Sequence, residues 1–289
     1  MATVWEIDFY SRPILDENGK KLWELLICES PLSIDREPES LFRDAYFCPS
    51  TTVNSEWLGN ALKQAMEKAG QSPQVVRFFR RQMNNMILKA CTDVGLDAKL
   101  GRRTVTLNAW MNDRLLNVYP KEPGYQDTAI RSPAVQYQSP VALTLPDALQ
   151  GQQWAFVTLE ADAFAEMPDW EIDFGEGFPL SLTDLSGDRA IPGMIVFSPR
   201  SFPLAAWMSG LELGFLKYTT GRAPRMILET GTNDAWVLAD VVGDATQAEA
   251  ARFEAAKQAA NGVHFLAVQS DPESEAFAGF WLLQELNLA

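Results

Sequence analysis

The stretch Trp5-Glu6-Ile7-Asp8-Phe9-Tyr10-Ser11-Arg12-Pro13, followed across Asn18-Gly19 by Lys21-Leu22-Trp23-Glu24-Leu25-Leu26-Ile27-Cys28, constrains this chain more than any other. Residues Val4 to Phe9 alternate as in a half-buried strand, and Leu22 to Cys28 pairs back across an Asn-Gly turn. The fold therefore opens with a β-hairpin. An ideal turn of this kind sets Glu24 opposite Pro13 and leaves about five residues, on the order of 16 Å, between Asp8 and Glu24 along the strands. That gap is too wide for the two carboxylates to share one metal ion.

Helical spacing comes next. Leu58, Ala61, Leu62, Ala65 and Met66 predict a helix closed by Gly70, and Ser72-Pro73 predicts the start of a second one reaching to about Val94-Gly95. On this second helix Val76, Phe79, Met83, Met86, Ile87 and Ala90 form an apolar stripe, while Arg77, Arg80, Arg81, Asn84, Asn85 and Lys89 cover the remaining surface. Thr104 to Trp110 returns to a period of two, which predicts a half-exposed strand with Thr104, Thr106, Asn108 and Trp110 on one face. Pro120, Pro123, Pro133, Pro140 and Pro146 then mark a connection with little regular structure.

The chain reads as an α+β protein of two α/β halves: residues 1–119 with the hairpin and the helix pair, a Pro-rich connection over 120–150, and a C-terminal α+β domain over 151–289. In the second half, Ala205 to Leu216 predicts a helix, and Arg225 to Thr230 with Trp236 to Val242 predicts a hairpin. Asp244 and Gln247 form a capping-box pattern opening an alanine-rich helix that ends at Asn261-Gly262. Val263 to Val268 and the tail from Phe277 to Leu288 read as strands. The order is similar to the αβββαβ arrangement of the restriction-endonuclease-like core. With 289 residues and 47% hydrophobic content the chain can bury one large core or two modest ones. Trp170-Glu171-Ile172-Asp173-Phe174 repeats the opening pentapeptide; an echo of duplication and the reuse of a stable strand pattern explain it about equally well.

Charge is segregated. The net charge is −14, yet residues 60 to 131 hold twelve Lys or Arg against six Asp or Glu, and residues 140 to 188 hold ten acids and no base. Between residues 77 and 103 seven bases face two acids. Guanidinium groups for phosphates beside aromatic and amide side chains are what single-stranded RNA requires, so Arg77, Arg80, Arg81, Lys89, Arg102 and Arg103 are the candidate phosphate contacts, and Asn108 and Trp110 the candidate base contacts. Phe78, Tyr119 and Tyr125 are further aromatic candidates. For Phe78 and Trp110 a place in the core outweighs a stacking role by roughly two to one, because large aromatics are mostly buried. The acidic segment 140 to 188 is a second possible partner for the arginines.

Signals for catalysis are weak. The single histidine, His264, lies in an apolar strand and reads as a buried core residue. Gly175-Glu176-Gly177 lacks the third glycine of a nucleotide loop. Cys28, Cys48 and Cys91 have no Cys-x-x-Cys spacing, which argues against a zinc site and a disulfide scaffold, so no metal or cofactor is expected. No apolar run spans a bilayer, and Met1-Ala2-Thr3 leads straight into a strand with no signal or transit segment, so the expectation is a soluble, cytoplasmic protein.

The opening hairpin, together with Arg77-Phe78-Phe79-Arg80-Arg81-Gln82-Met83 and the terminal Phe280-Trp281-Leu282-Leu283, resembles the Tab-two (ATAB-two) family of oxygenic phototrophs. The resemblance implies a non-enzymatic RNA-binding protein acting in synthesis of photosystem reaction-centre subunits, notably the B subunit of photosystem I. It also implies an A/U-rich single-stranded mRNA leader as partner, the ribosome or thylakoid-associated translation machinery as a further one, and a chloroplast-stroma location in eukaryotic relatives. Two other readings stand beside it. One is a protein-binding photosystem assembly factor that uses the acidic half. The other is a magnesium-dependent nuclease drawing on Asp8, Glu24 or Asp240.

Overall fold

A computed structural model describes residues 3–127, 140–183, 185, 187–231 and 234–286. The Pro-rich connection expected over 120–150 falls partly outside them, at residues 128–139. Among the described residues the chain divides into two compact units, one built from residues 3–31 and 39–127 and the other from 32–38 and 140–286.

The first unit begins with the expected hairpin, β1 (Val4–Leu15) and β2 (Lys21–Glu29), extended by β3 (Arg43–Cys48). Gly19 takes φ 72° in the turn. Helix α1 (Ser55–Ala69) follows, started by the Asn54 side chain accepting the Trp57 N–H and ended by Gly70 at φ 65°. Two parallel strands, β4 (Val75–Phe78) and β5 (Asp97–Leu100), then flank helix α2 (Asn84–Asp93), and helix α3 (Val105–Asp113) closes the unit. The sheet order is β3-β2-β1-β4-β5, antiparallel through the first three strands and parallel from β1 to β5.

The structure departs from the sequence pattern at two segments of this unit. The helix expected from Ser72 to Gly95 is a strand, a short 3-10 turn (Arg81–Met83) and only then α2. Val75-Val76-Arg77-Phe78 is β-branched and aromatic, and its alternation satisfies a central strand whose Val76 and Phe78 face the core. Conversely, Thr104 to Trp110 is helix rather than strand. The carboxylate of Glu6, brought from β1, accepts the Leu107 N–H at 2.8 Å and so satisfies a first-turn amide of α3. A partner 101 residues away decides that conformation, and local periodicity does not register it.

In the second unit, β6 (Leu143–Thr144), β7 (Gln153–Glu160), β8 (Ile172–Glu176) and β9 (Ala190–Phe197) precede helix α4 (Ser201–Ser209). Strands β10 (Leu213–Thr219), β11 (Arg225–Thr230) and β12 (Asp234–Asp240), helix α5 (Asp244–Ala259), β13 (Val263–Gln269) and β14 (Phe277–Gln284) complete it. From α4 to β13 the element order is αβββαβ, but β10-β11-β12-β6 form one sheet while β13 lies in another, β7-β9-β13-β14-β8. The helix expected to run from Ala205 to Leu216 stops at Ser209, and Leu213 onward is strand β10. The expected capping box is also absent: Gly243 caps α5 with no side-chain bond. Phe280-Trp281-Leu282-Leu283 is buried in β14, between β13 and β8, as a packing element.

His264 is fully buried, accepting the Leu216 N–H on Nε2 at 2.8 Å while Nδ1 donates to the Gly262 carbonyl. Burial, and secondarily the Lys257 ammonium, hold its pKa well below 6.5. The unfolded chain therefore takes up a proton below pH 6.5 that the folded chain refuses. Stability is fully present above that pH and declines as pH falls through it, by up to about 1.4 kcal/mol per pH unit. Denaturant titrations at pH 7 and pH 5 are expected to show this loss, and His264→Gln to flatten it. A second prediction concerns Gly193, where an added Cβ meets the Phe265 ring at 2.2 Å. Gly193→Ala is expected to cost roughly 1–3 kcal/mol in the same titration.

Candidate nucleic-acid interface

The first unit's sheet has two different faces. Trp5, Ile7, Phe9, Leu25, Ile27, Val76 and Phe78 pack with α1 and α2 into an apolar core. The alternate residues of β1 and β2, which a half-buried hairpin would show to water, are buried too: Glu6 is 1% exposed, and Asp8 and Glu24 are 0% exposed. Three carboxylates buried beneath α3 demand paired charge, because an isolated ion in such a place loses far more hydration than it regains.

Arginines supply it. Arg12 donates to Glu24 at 3.0 Å and pairs with Asp8 at 2.8 Å, so one buried guanidinium joins both acids. Arg80 pairs with the other side of Asp8, and Arg114 with the other oxygen of Glu24. The Tyr119 hydroxyl also donates to Glu24. The result is a chain Arg80–Asp8–Arg12–Glu24–Arg114, with both end cations closer to the surface, at 12% and 13% exposed. Burial alone would raise the Asp8 pKa; Arg12 and Arg80 overcome it and hold the carboxyl below its usual range.

This arrangement corrects the expected 16 Å gap. Tyr10 stands opposite Glu24, and Asp8 opposite Leu26, because the register shifts between Ser11 and Leu15. Three residues, Arg12, Pro13 and Ile14, bulge there against Leu22 alone. Pro13 has no N–H to offer a ladder and suits a bulge. With each acid already holding two guanidiniums, metal-assisted chemistry at Asp8 and Glu24 would first have to displace arginines. Asp240, the third acid considered, is exposed and paired with Arg225 at 2.9 Å.

The sequence-derived contact residues do not share one helix face. Arg77 lies on β4 and is 6% exposed, and Arg102 and Arg103, after β5, are also buried. Arg80 is committed to Asp8. Arg81 and Lys89 are exposed, Lys89 pairing with Asp93 at 2.8 Å on the outside of α2. Asn108 and Trp110 are half-buried on α3. Phe78 and Tyr119 are buried, and Tyr125 is half-buried. Arg80, Arg81, Arg102 and Arg103 nevertheless share one property: they follow the carboxyl ends of β4 and β5, beside β1. There the connection from β1 runs one way and that from β4 the other, which is where open α/β sheets bind ligands.

Sequence reasoning missed Arg12, Arg114, Arg43 and Glu6. Arg12 was legible as the cation in the opening fingerprint, four residues after Asp8; Arg114 was not, because a single turn of π-helix (Arg114–Val118) sets its direction. Breaking the ionic chain is expected to be costly: Asp8→Asn and Arg12→Met should each lose about 3–5 kcal/mol in a urea titration. Arg81→Gln, at an exposed position, should change stability by less than about 0.5 kcal/mol.

Two family models match, described as RNA-binding protein Tab2/Atab2 N terminal, over residues 4–114, and RNA-binding protein Tab2/Atab2, C-terminal domain, over residues 132–284. The chain is 41% identical to the chloroplastic protein TAB2 homolog of Zea mays, covering 98% of this chain and 71% of that one. It is 37% identical to the Arabidopsis thaliana chloroplastic TAB2 homolog, covering 98% of this chain and 74% of that one. No solved structure matches. With both halves matched and relatives aligned along nearly its whole length, this chain belongs to the Tab2/Atab2 family of RNA-binding proteins.

Proposed function

We propose that the protein is a non-catalytic factor that binds an A/U-rich single-stranded leader of a photosystem message and supports translation of reaction-centre subunits, photosystem I foremost. The observation that carries this reading is the match of both halves to models of RNA-binding proteins. The exposed Arg81, with the basic run at the carboxyl ends of β4 and β5, and the exposed Lys89 on the outside of α2 supply local positive charge despite a net charge of −14. Arg77, Arg102 and Arg103 contribute from buried positions to the field and the shape of the sheet edge at those strand ends, and Asn108 and Trp110 face unstacked bases.

Chloroplastic relatives support a stromal counterpart in eukaryotes. No helix among the described residues is long and apolar enough to cross a membrane. Contact with ribosomes or thylakoid-bound translation machinery would then run through the bound message.

The test is binding of a labelled A/U-rich oligoribonucleotide across a salt series, with magnesium present. Affinity is expected to fall steeply with salt, the RNA to stay intact, and Arg81→Glu/Lys89→Glu to flatten the log–log slope by about 0.7 for each phosphate that is no longer neutralised. Absence of binding at low salt would favour a protein-binding assembly factor, and cut RNA would favour a nuclease.

A further inference from the structure

Helix α3 covers the charged face of the first unit's sheet and carries Trp110, half-buried, in its second turn. The inner part of the indole packs with Ala45 and Met111 onto a small cluster of Leu26, Cys28, Phe79 and Leu107. Two guanidiniums approach its ring. Arg43, exposed on the edge strand β3, lies 6.0 Å from the ring centroid, and Arg114 lies 5.6 Å from it. Arg114 is also 5.3 Å from the centre of Tyr119. Cations and rings therefore alternate in the order Arg43, Trp110, Arg114, Tyr119.

This line is built rather than incidental. Arg114 cannot swing away, because its guanidinium is fixed by Glu24, a fully buried carboxylate that also holds Arg12 and the Tyr119 hydroxyl. The π-helical turn that follows α3 places Arg114 and Tyr119 so that both reach that one acid. The Arg114 Nε is buried and makes no hydrogen bond among the described residues, so the geometry of the guanidinium is set by Glu24 and the rings and not by a full set of donors. The π-helix inserts one extra residue per turn, a distortion found mostly at functional positions.

We propose that Trp110 and Arg43 form a nucleotide subsite of the RNA-binding surface: an unpaired base stacks on the half-exposed indole in place of the exposed Arg43 guanidinium, which moves to the adjoining phosphate, while Arg114, held by Glu24, backs the ring from within. The inference rests on the RNA-binding reading above and assigns it contacts that lie outside the basic run 77–103. An aromatic plane accepts any base, and an exposed cation beside it matches a strand in which a phosphate adjoins each base. Arginine serves here better than lysine, since its plane can lie against a ring while its edge donates to an oxyanion.

The test uses the full chain and a uridine-rich oligoribonucleotide carrying 5-iodouridine, irradiated and mapped by mass spectrometry of the digested adduct. Adducts on Trp110 or elsewhere within residues 105–119 are expected. Binding with adducts only at other sites overturns the subsite while leaving RNA binding intact, and no binding at all overturns both. In parallel, Trp110→Ala is expected to weaken binding about tenfold or more with an unchanged salt slope, Trp110→Phe to retain most of the affinity, and Arg43→Gln to reduce the slope by about 0.7. Trp110→Ala with wild-type affinity, or Arg43→Gln with a wild-type slope, would also overturn it.

Discussion

The first unit depends on the pairing of buried carboxylates with guanidiniums across one face of its sheet. Asp8 and Glu24 are each fully buried, and each holds two arginines, with Arg12 common to both. Such a layer adds little net stability compared with an apolar core of the same shape, because desolvation of the ions offsets most of their attraction. What it enforces is geometry. Each member fixes the next, so strand β1, the bulge at Arg12, the end of β4 at Arg80 and the π-turn at Arg114 are held in register by one network. The Glu6 carboxylate extends the same principle to α3 by accepting the Leu107 amide.

That geometry divides the basic residues by task. Arginines inside the layer maintain the sheet and its covering helix, while Arg81 and Lys89 meet solvent. Arg80 and Arg114 stand between, each anchored to a buried acid and each lying against aromatic rings, Arg80 within 4.0 Å of the Tyr10 centroid. A planar cation held by a buried acid has already lost the side-chain entropy that recognition would otherwise consume. The second unit handles buried charge in the same manner, with Lys257 donating to the Leu216 carbonyl at 2.7 Å and pairing with Glu254 and Glu285.

Local signals were legible where the chain supplies its own boundaries. The opening hairpin, the helix over Leu58 to Met66 closed by Gly70, the hairpin of β11 and β12, and the strand β13 stand where composition and periodicity place them, and β14 starts at Phe277 as expected but ends at Gln284, short of Leu288. Family membership was legible as well, from three short stretches, and two of those stretches contribute to the ionic layer: Asp8, Arg12 and Glu24 in the first, Arg80 in the second. The basic segment was legible as charge, but its division into buried and exposed arginines was not. Val76, Phe79, Met83 and Ile87 fit a helix, while Val76 with Phe78 fits a strand equally well; a run this short obeys both periods.

The sequence by itself determined the class of fold, the hairpin, the charge segregation and the family, because each is written in neighbouring residues. Tertiary structure alone decided which way each polar face looks. The pentapeptide Trp-Glu-Ile-Asp-Phe shows this directly: at residues 5–9 it is buried throughout in a central strand, and at 170–174 it leads into the edge strand β8, which starts at Ile172, with Asp173 exposed. The same aspartate meets arginines in one place, as Asp8, and water in the other, as Asp173. Burial of a charge depends on a partner brought from far along the chain, as Arg80 is brought 72 residues to Asp8, and no local period encodes such a partner.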